Sequence, residues 1–279
     1  IDSIKVTATD TSKVPNTSAT AASSGADLNG MAAKAAAETI RARMAQHLAT
    51  AAGVSVDDVT FTNGEVQVGA RETLSFAQAA KRAYAARISL SSTGYYATPK
   101  ISWDRERGTG RPFFYFAYGA AVSEVVIDTL TGENRLLRVD ILHDAGRSLN
   151  PAIDLGQVEG GFAQGAGWLT TEELSWSSDG RLLTHAPQTY KIPVASDRAP
   201  DMRLALWDKG ENVEETIYRS KAVGEPPLML GISVLMALTD AVASVGAHAV
   251  EPKLDAPATP ERILMAVEDV KRRRAGAVS

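Results

Sequence analysis

The chain has 279 residues, of which 44% are hydrophobic and 22% charged, and a net charge of -4. This is the composition of a globular protein large enough for one sizeable core or two smaller ones. The charge gives no electrostatic footing for nucleic acid or an anionic membrane, so neither partner is expected. The absence of cysteine excludes disulfides, thiolate-held metals and thiol nucleophiles within this chain, and it suits a reducing cytoplasm.

Ile1-Asp-Ser-Ile-Lys-Val begins without Met and reads as a strand already in progress, so the chain is expected to be cut from something longer. After a polar loop, an alanine-rich helix is expected over 28–52, ending near Gly53. Residues 54–61 and 65–68 read as short strands joined by an Asn63-Gly64 hairpin turn. A second helix follows at 75–86, and 104–112 reads as a loop. The pattern then predicts a long strand over 113–127, a turn at Thr129-Leu-Thr-Gly-Glu-Asn and a returning strand at 135–143. Asn150-Pro151 is an N-cap followed by a first-turn proline, and it opens a helix to about Trp168.

Short strands are expected near 181–183 and 202–207. The apolar run 228–247 approaches membrane-spanning length, but Ser233, Thr239, Asp240 and Ser244 interrupt it. A buried core helix is therefore expected there. A last helix covers 260–271, and Lys271-Arg-Arg-Arg reads as a frayed, solvated tail. Interleaved helices and strands with a long antiparallel hairpin predict an α+β (mixed α/β) fold. No internal repeat or long linker divides it, so 1–279 is expected to be a single unit.

Three segments bear chemistry. Lys221-Ala-Val-Gly-Glu-Pro-Pro-Leu mounts Glu225 on a stiff backbone at the head of an apolar helix. That placement suits a general base, whose position and pKa are set by rigidity and partial desolvation. It equally suits a turn carboxylate beside a positive helix end. Thr20-Ala-Ala-Ser-Ser-Gly-Ala-Asp precedes a helix with small side chains and hydroxyls. It reads either as an N-cap or as a cradle for a ligand rich in acceptors. The helix from Pro151 carries Gly156, Gly160, Gly161, Gly165 and Gly167, each costing about 1 kcal/mol relative to alanine. Five such residues require close packing, a ligand on the backbone, or both, with Gln157 and Gln164 on roughly one face.

Arg107-Gly-Thr-Gly-Arg lacks the ending of a phosphate-binding loop and reads as surface loop. His143 and Asp144 have no nucleophile-elbow serine to join, and the four histidines lack metal-ligand spacing.

These segments together resemble the molybdenum-binding subunit of the xanthine dehydrogenase family, to which aldehyde oxidases are related. The matching stretches are Val14-Pro-Asn-Thr-Ser-Ala-Thr-Ala-Ala-Ser, Ser123-Glu-Val-Val-Ile-Asp with Leu130-Thr-Gly, Ser148-Leu-Asn-Pro-Ala-Ile-Asp-Leu-Gly-Gln-Val-Glu-Gly, Thr189-Tyr-Lys-Ile-Pro, Ser220-Lys-Ala-Val-Gly-Glu-Pro-Pro-Leu and Asp255-Ala-Pro-Ala-Thr-Pro-Glu. They cover nearly the whole chain in family order. The Gly-Glu-Pro-Pro form favours the xanthine dehydrogenases within the superfamily.

The resemblance implies the C-terminal part of a molybdopterin-binding domain, incomplete without upstream segments. Glu225 is then the general base for hydroxylating hypoxanthine or xanthine towards uric acid. Ala22 lies against the molybdenum through its backbone, with no side-chain ligand to the metal. Thr20, Ala21, Ser23, Ser24, Gln157 and Gly224 hold the molybdopterin. Electrons leave through 2Fe-2S clusters to FAD and on to NAD, carried by partner domains or subunits. The purine-orienting residues are expected upstream, in the N-terminal part of the molybdenum subunit. The whole is expected to form a dimer of heterodimers in the cytoplasm. An aldehyde or N-heterocycle oxidase of the same family is the nearest alternative, and a non-catalytic cofactor-binding or maturation module is another.

Overall fold

The computed structural model describes residues 4–7, 10–13 and 20–277, folded around two hydrophobic clusters. The first cluster lies under helix α1 (Gly25–Ala52), the antiparallel sheet β1 (Val59–Thr62), β2 (Glu65–Val68) and β3 (Glu72–Ser75), and helix α2 (Phe76–Ala85). Alternation along β2 points Val66 and Val68 inward, onto Met44 and Leu48 of α1 and Ala79 and Ala83 of α2. Asn63 and Gly64 both take positive φ, 52° and 81°, which matches the twist of a two-residue hairpin. Ser75 and Gln78 form a reciprocal capping box at the start of α2. Gly53 closes α1 in the left-handed conformation, its N–H donating to Ala49 O and Thr50 O.

A small hairpin, β4 (Ser102–Asp104) with β5 (Thr109–Arg111), leads to the second cluster. There β6 (Gly119–Ile127) pairs antiparallel with β7 (Asn134–His143), from Gly119 opposite His143 to Ile127 opposite Asn134. Strand β8 (Asp201–Leu206) adds to β7 in parallel, Arg138 opposite Asp201 and His143 opposite Leu206. Parallel neighbours require a crossover connection, and α3 (Pro151–Thr170) lies within it. Helices α3 and α4 (Ile232–Val245) pack on this sheet, and α5 (Pro260–Ala277) packs on α4. The shared core contains Val139, Ile141, Phe162, Leu238 and Ile263, all at most 3% exposed. A side chain of this kind contributes roughly 1.5–3 kcal/mol when fully buried.

The fold is the mixed α/β arrangement expected, with local departures. The strand expected over 113–127 begins only at Gly119. Arg111 donates its guanidinium to the carbonyls of Phe113 and Phe114, at 3.4 and 2.9 Å, diverting acceptors that a ladder needs. At 181–183 there is only an isolated bridge, Trp176 opposite Leu182. The expected strand at 54–61 starts as a 3-10 turn, Val56–Asp58, capped by Ser55. Residues 4–7 of the expected opening strand carry no strand, and its residues 1–3 and 8–9 lie outside those described.

The basic run 271–274 is no frayed tail. It continues α5, where Arg272 and Arg273 pair with Asp269 and Arg274 donates to Val245 O. The apolar run also departs from a wholly buried helix. It opens as a 3-10 turn, Pro226–Gly231, and α4 buries Val234, Leu238 and Val242 while Met229, Ile232 and Met236 stay exposed.

Candidate active site

The polar turn before α1 and the segment before α4 meet across a cleft of about 480 Å³. Ser23 Oγ accepts the Glu225 N–H at 2.7 Å, and Ser23 N–H donates to Glu225 Oε2 at 3.1 Å. This reciprocal pair joins residues 202 apart in sequence. Ala22 holds a left-handed backbone, φ 66°, and its carbonyl accepts the Ser24 N–H at 3.0 Å. A non-glycine residue at positive φ carries strain, which the surrounding contacts must over-determine.

Ser24 makes no side-chain cap to α1, since its hydroxyl donates to Ala21 O at 3.4 Å. Ser23 is committed to Glu225. The N-cap reading is therefore not realised, and no side chain caps the first-turn N–H groups of α1. The cleft is lined by Ala22, Ser23, Ser24, Asp27, Glu225 and Pro226, with an aromatic wall from Tyr96, Phe113, Phe114 and Tyr115.

Gly224 explains how three segments come so close. A Cβ there would stand 3.2 Å from Ser23 Oγ and 3.6 Å from Gln157 Oε1, so the loop, the Glu225 segment and α3 converge at this residue. Gln157, Gly224, Thr20 and Ala21 lie beside the cleft rather than in its lining. The glycines of α3 divide by role. A Cβ on Gly161 would approach Pro227 Cβ to 3.0 Å, one on Gly165 would sit 2.1 Å from Leu228 O, and one on Gly167 would strike Pro193. These three permit helix-to-backbone packing against the 226–231 turn and residue 193. A Cβ on Gly156 or Gly160 meets no described atom within 4 Å.

Glu225 occupies the cap position of the 3-10 turn Pro226–Gly231, yet its side chain makes no cap bond. Its carboxylate accepts the Ser23 N–H instead. The expected desolvation is absent, because Glu225 is exposed in this chain.

Rigidity comes from upstream. Lys221 Nζ pairs with Asp144 Oδ2 at 2.6 Å, with the Lys221 side chain only 7% exposed, and lies 4.9 Å from the Tyr118 ring centroid. Lys221 N–H donates to Ala145 O, while Asn212 and Thr216 both donate to Ser220 O. Leu228 N–H donates to Glu225 O at 3.0 Å on the downstream side.

The sequence reading missed Asp27 and Tyr115. Tyr115 OH donates to Asp27 Oδ2 at 2.5 Å and accepts the Ala222 N–H at 2.8 Å. Burial raises the Asp27 carboxyl above the usual carboxylate range, against the lowering effect of the Tyr115 bond. Burial, and then the bond to Asp27, pushes the Tyr115 phenol up. Asp27 was visible as a first-turn acid, but nothing in the sequence pairs it with a tyrosine 88 positions away.

A family model described as the molybdopterin cofactor-binding domain matches residues 1–199. The chain belongs to this family. It is 43% identical to a xanthine dehydrogenase of Oryza sativa subsp. japonica, over 96% of this chain and 19% of that protein. It is 42% identical to aldehyde oxidase 2 of Macaca fascicularis, over 95% of this chain and 18% of that protein. Among solved structures, quinoline 2-oxidoreductase from Pseudomonas putida 86 superposes with a TM-score of 0.74 at 24% identity. That match covers 90% of this chain and 31% of the other, and it shows the shared fold. The chain thus spans about a fifth of the length of the curated relatives it matches.

The residues present fit the cofactor that the family name specifies. A pterin offers many acceptors and donors to uncapped backbone N–H groups, hydroxyls and a side-chain amide. The left-handed turn at Ala22 lets a large group approach the backbone.

Proposed function

We propose that this chain is the base-bearing part of a molybdenum hydroxylase of the xanthine dehydrogenase type. When bound, the molybdenum cofactor supplies the oxygen-transfer and electron-accepting chemistry of the reaction. Thr20, Ala21, Ser23, Ser24, Gln157 and Gly224 hold the pterin by hydroxyl, amide and backbone groups, and the Ala22 backbone faces the metal.

Glu225 is the general base. Its Oε2 is engaged by the Ser23 N–H, which leaves Oε1 as the atom that takes the proton. The aromatic wall favours a planar, electron-poor ring over a flexible substrate. The purine hypoxanthine or xanthine fits that description, with partner iron–sulfur and FAD domains carrying the electrons to NAD. The observation that carries the reading is the reciprocal Ser23–Glu225 pair. It brings the one carboxylate on a stiff mount to the turn marked out for the cofactor.

The test is Glu225→Gln in the molybdenum-loaded holoenzyme. Molybdenum content should match wild type while turnover falls by about 10²–10⁴-fold or more. Hypoxanthine turnover near the wild-type rate would refute the assignment. The near-equal identity to aldehyde oxidase 2 favours one second reading, an aldehyde or N-heterocycle oxidase with the same base. Comparing kcat/KM for purines and aldehydes on the same preparation separates the two.

A further inference from the structure

The Ser23–Glu225 pair ties the cleft on one side only. On the other side three segments distant in sequence meet at one phenol. Asp27 stands on the first turn of α1, three residues beyond Ser24. Ala222 stands three residues before Glu225, and Tyr115 comes from the irregular stretch between β5 and β6. The bonding direction is fixed. The Ala222 N–H can only donate, at 2.8 Å, so the single Tyr115 proton goes to Asp27 Oδ2 at 2.5 Å.

The stretch that carries Tyr115 is itself anchored. Phe114, its neighbour, is 8% exposed and packs edge-on against the Tyr115 ring at 6.1 Å. Arg111 holds the Phe114 carbonyl at 2.9 Å and Glu214 Oε1 at 2.6 Å. Asp27 Oδ1 is buried with no hydrogen-bond partner among the described residues, so the Asp27 carboxyl has no other donor to turn to when the phenol is removed. The hydroxyl therefore adds a second tie, beside the Ser23–Glu225 pair, between the start of α1 and the segment that ends in Glu225.

We propose that Tyr115 is a positioning residue, which holds Glu225 at its working distance from the Ala22 turn by joining Asp27 to the Ala222 amide. The proposal rests on Glu225 being the base. Tyr115 touches no reacting atom, and its effect passes through the backbone from Ala222 to Glu225. A displacement of about 1 Å at a reacting group can cost about 10²-fold in rate.

The test uses the holoenzyme with Y115F, E225Q and the double variant, reading molybdenum content, kcat, KM and amide hydrogen exchange. Y115F should keep the wild-type molybdenum content and KM while kcat falls about ten- to a hundredfold. Exchange should quicken over 222–225, where the Ala222 N–H has lost its acceptor, and stay unchanged in α5. In the E225Q background, Y115F should lower the residual rate no further, since the residue it positions is already disabled. A further fall in the double variant overturns the proposal, because the hydroxyl would then act on something other than Glu225. Loss of molybdenum together with loss of exchange protection throughout the chain overturns it as well, leaving a merely structural hydroxyl. If Y115F does not accumulate, D27A removes the acceptor from the other end and should give the same selective fall in kcat. D27A at the wild-type kcat counts against the proposal. Turnover by E225Q near the wild-type rate overturns the base reading and this proposal with it, whereas a disabled E225Q beside an unimpaired Y115F overturns the proposal alone.

Discussion

Gly165→Ala tests how the base segment is mounted. A Cβ on Gly165 would lie 2.1 Å from Leu228 O, where contacts under 3.0 Å do not occur. The Leu228 carbonyl must therefore retreat by about 1 Å, and backbone cannot rotate out of the way as a flexible side chain can. Overpacking of this kind costs about 1–3 kcal/mol. Alanine returns about 1 kcal/mol of helix propensity, so a net loss of up to about 2 kcal/mol remains. For a chain of this size that lowers Tm by up to about 4–8 °C.

The same retreat pulls on Glu225, because the Leu228 N–H is bonded to the Glu225 carbonyl at 3.0 Å. Turnover should fall by up to about 10²-fold. Thermal unfolding, molybdenum content and kcat on one preparation measure all three effects. Gly160→Ala is the control, since its Cβ meets no described atom within 4 Å and only the propensity gain of about 1 kcal/mol applies. If Gly165→Ala matches wild type in both Tm and turnover, the packing argument is wrong.

Two further expectations concern buried ionisable groups. Lys221→Met strands Asp144 without its partner at 2.6 Å and should cost about 3 kcal/mol in denaturant unfolding. A loss under about 1 kcal/mol would contradict the role given to that pair. His143 is 2% exposed with both ring nitrogens unpartnered among the described residues. Burial chiefly holds its pKa below the ordinary 6.5, with nearby Lys221 adding to the effect and Asp144 and Asp154 opposing it. As pH falls below about 6.5 the unfolded chain takes up a proton that the folded chain refuses, so folding is weakened there by up to about 1.4 kcal/mol per pH unit. His143→Leu should flatten the loss of Tm between pH 7 and 5.5, and an unchanged slope would exclude this origin.

Local chemistry was the legible part of this chain. Asn63-Gly64 can scarcely do other than turn a hairpin, and Asn150-Pro151 start a helix by cap and fixed φ. Of the small residues at 20–24, residues 22–24 line one cleft together with Glu225. What failed was whatever depends on distant groups. The apolar alternation through Phe113 and Tyr115 reads as strand, but Arg111 takes the carbonyls and Asp27 takes the hydroxyl. Arg272–Arg274 read as a solvated tail because the groups they bind include a carbonyl at the end of α4, 29 residues away. The exposure of Glu225 was equally invisible, since solvation belongs to the assembled cleft.

The bond between the Ser23 turn and the base segment has a consequence for biogenesis. Its two ends close a loop of about 200 residues, among the costliest contacts in the chain to form early and so among the last to pay back its entropy. A nascent or damaged chain in which any intervening helix or strand has not settled offers no finished cradle. On the proposed function, cofactor insertion would wait for completed folding, and unfinished chains would stay unloaded.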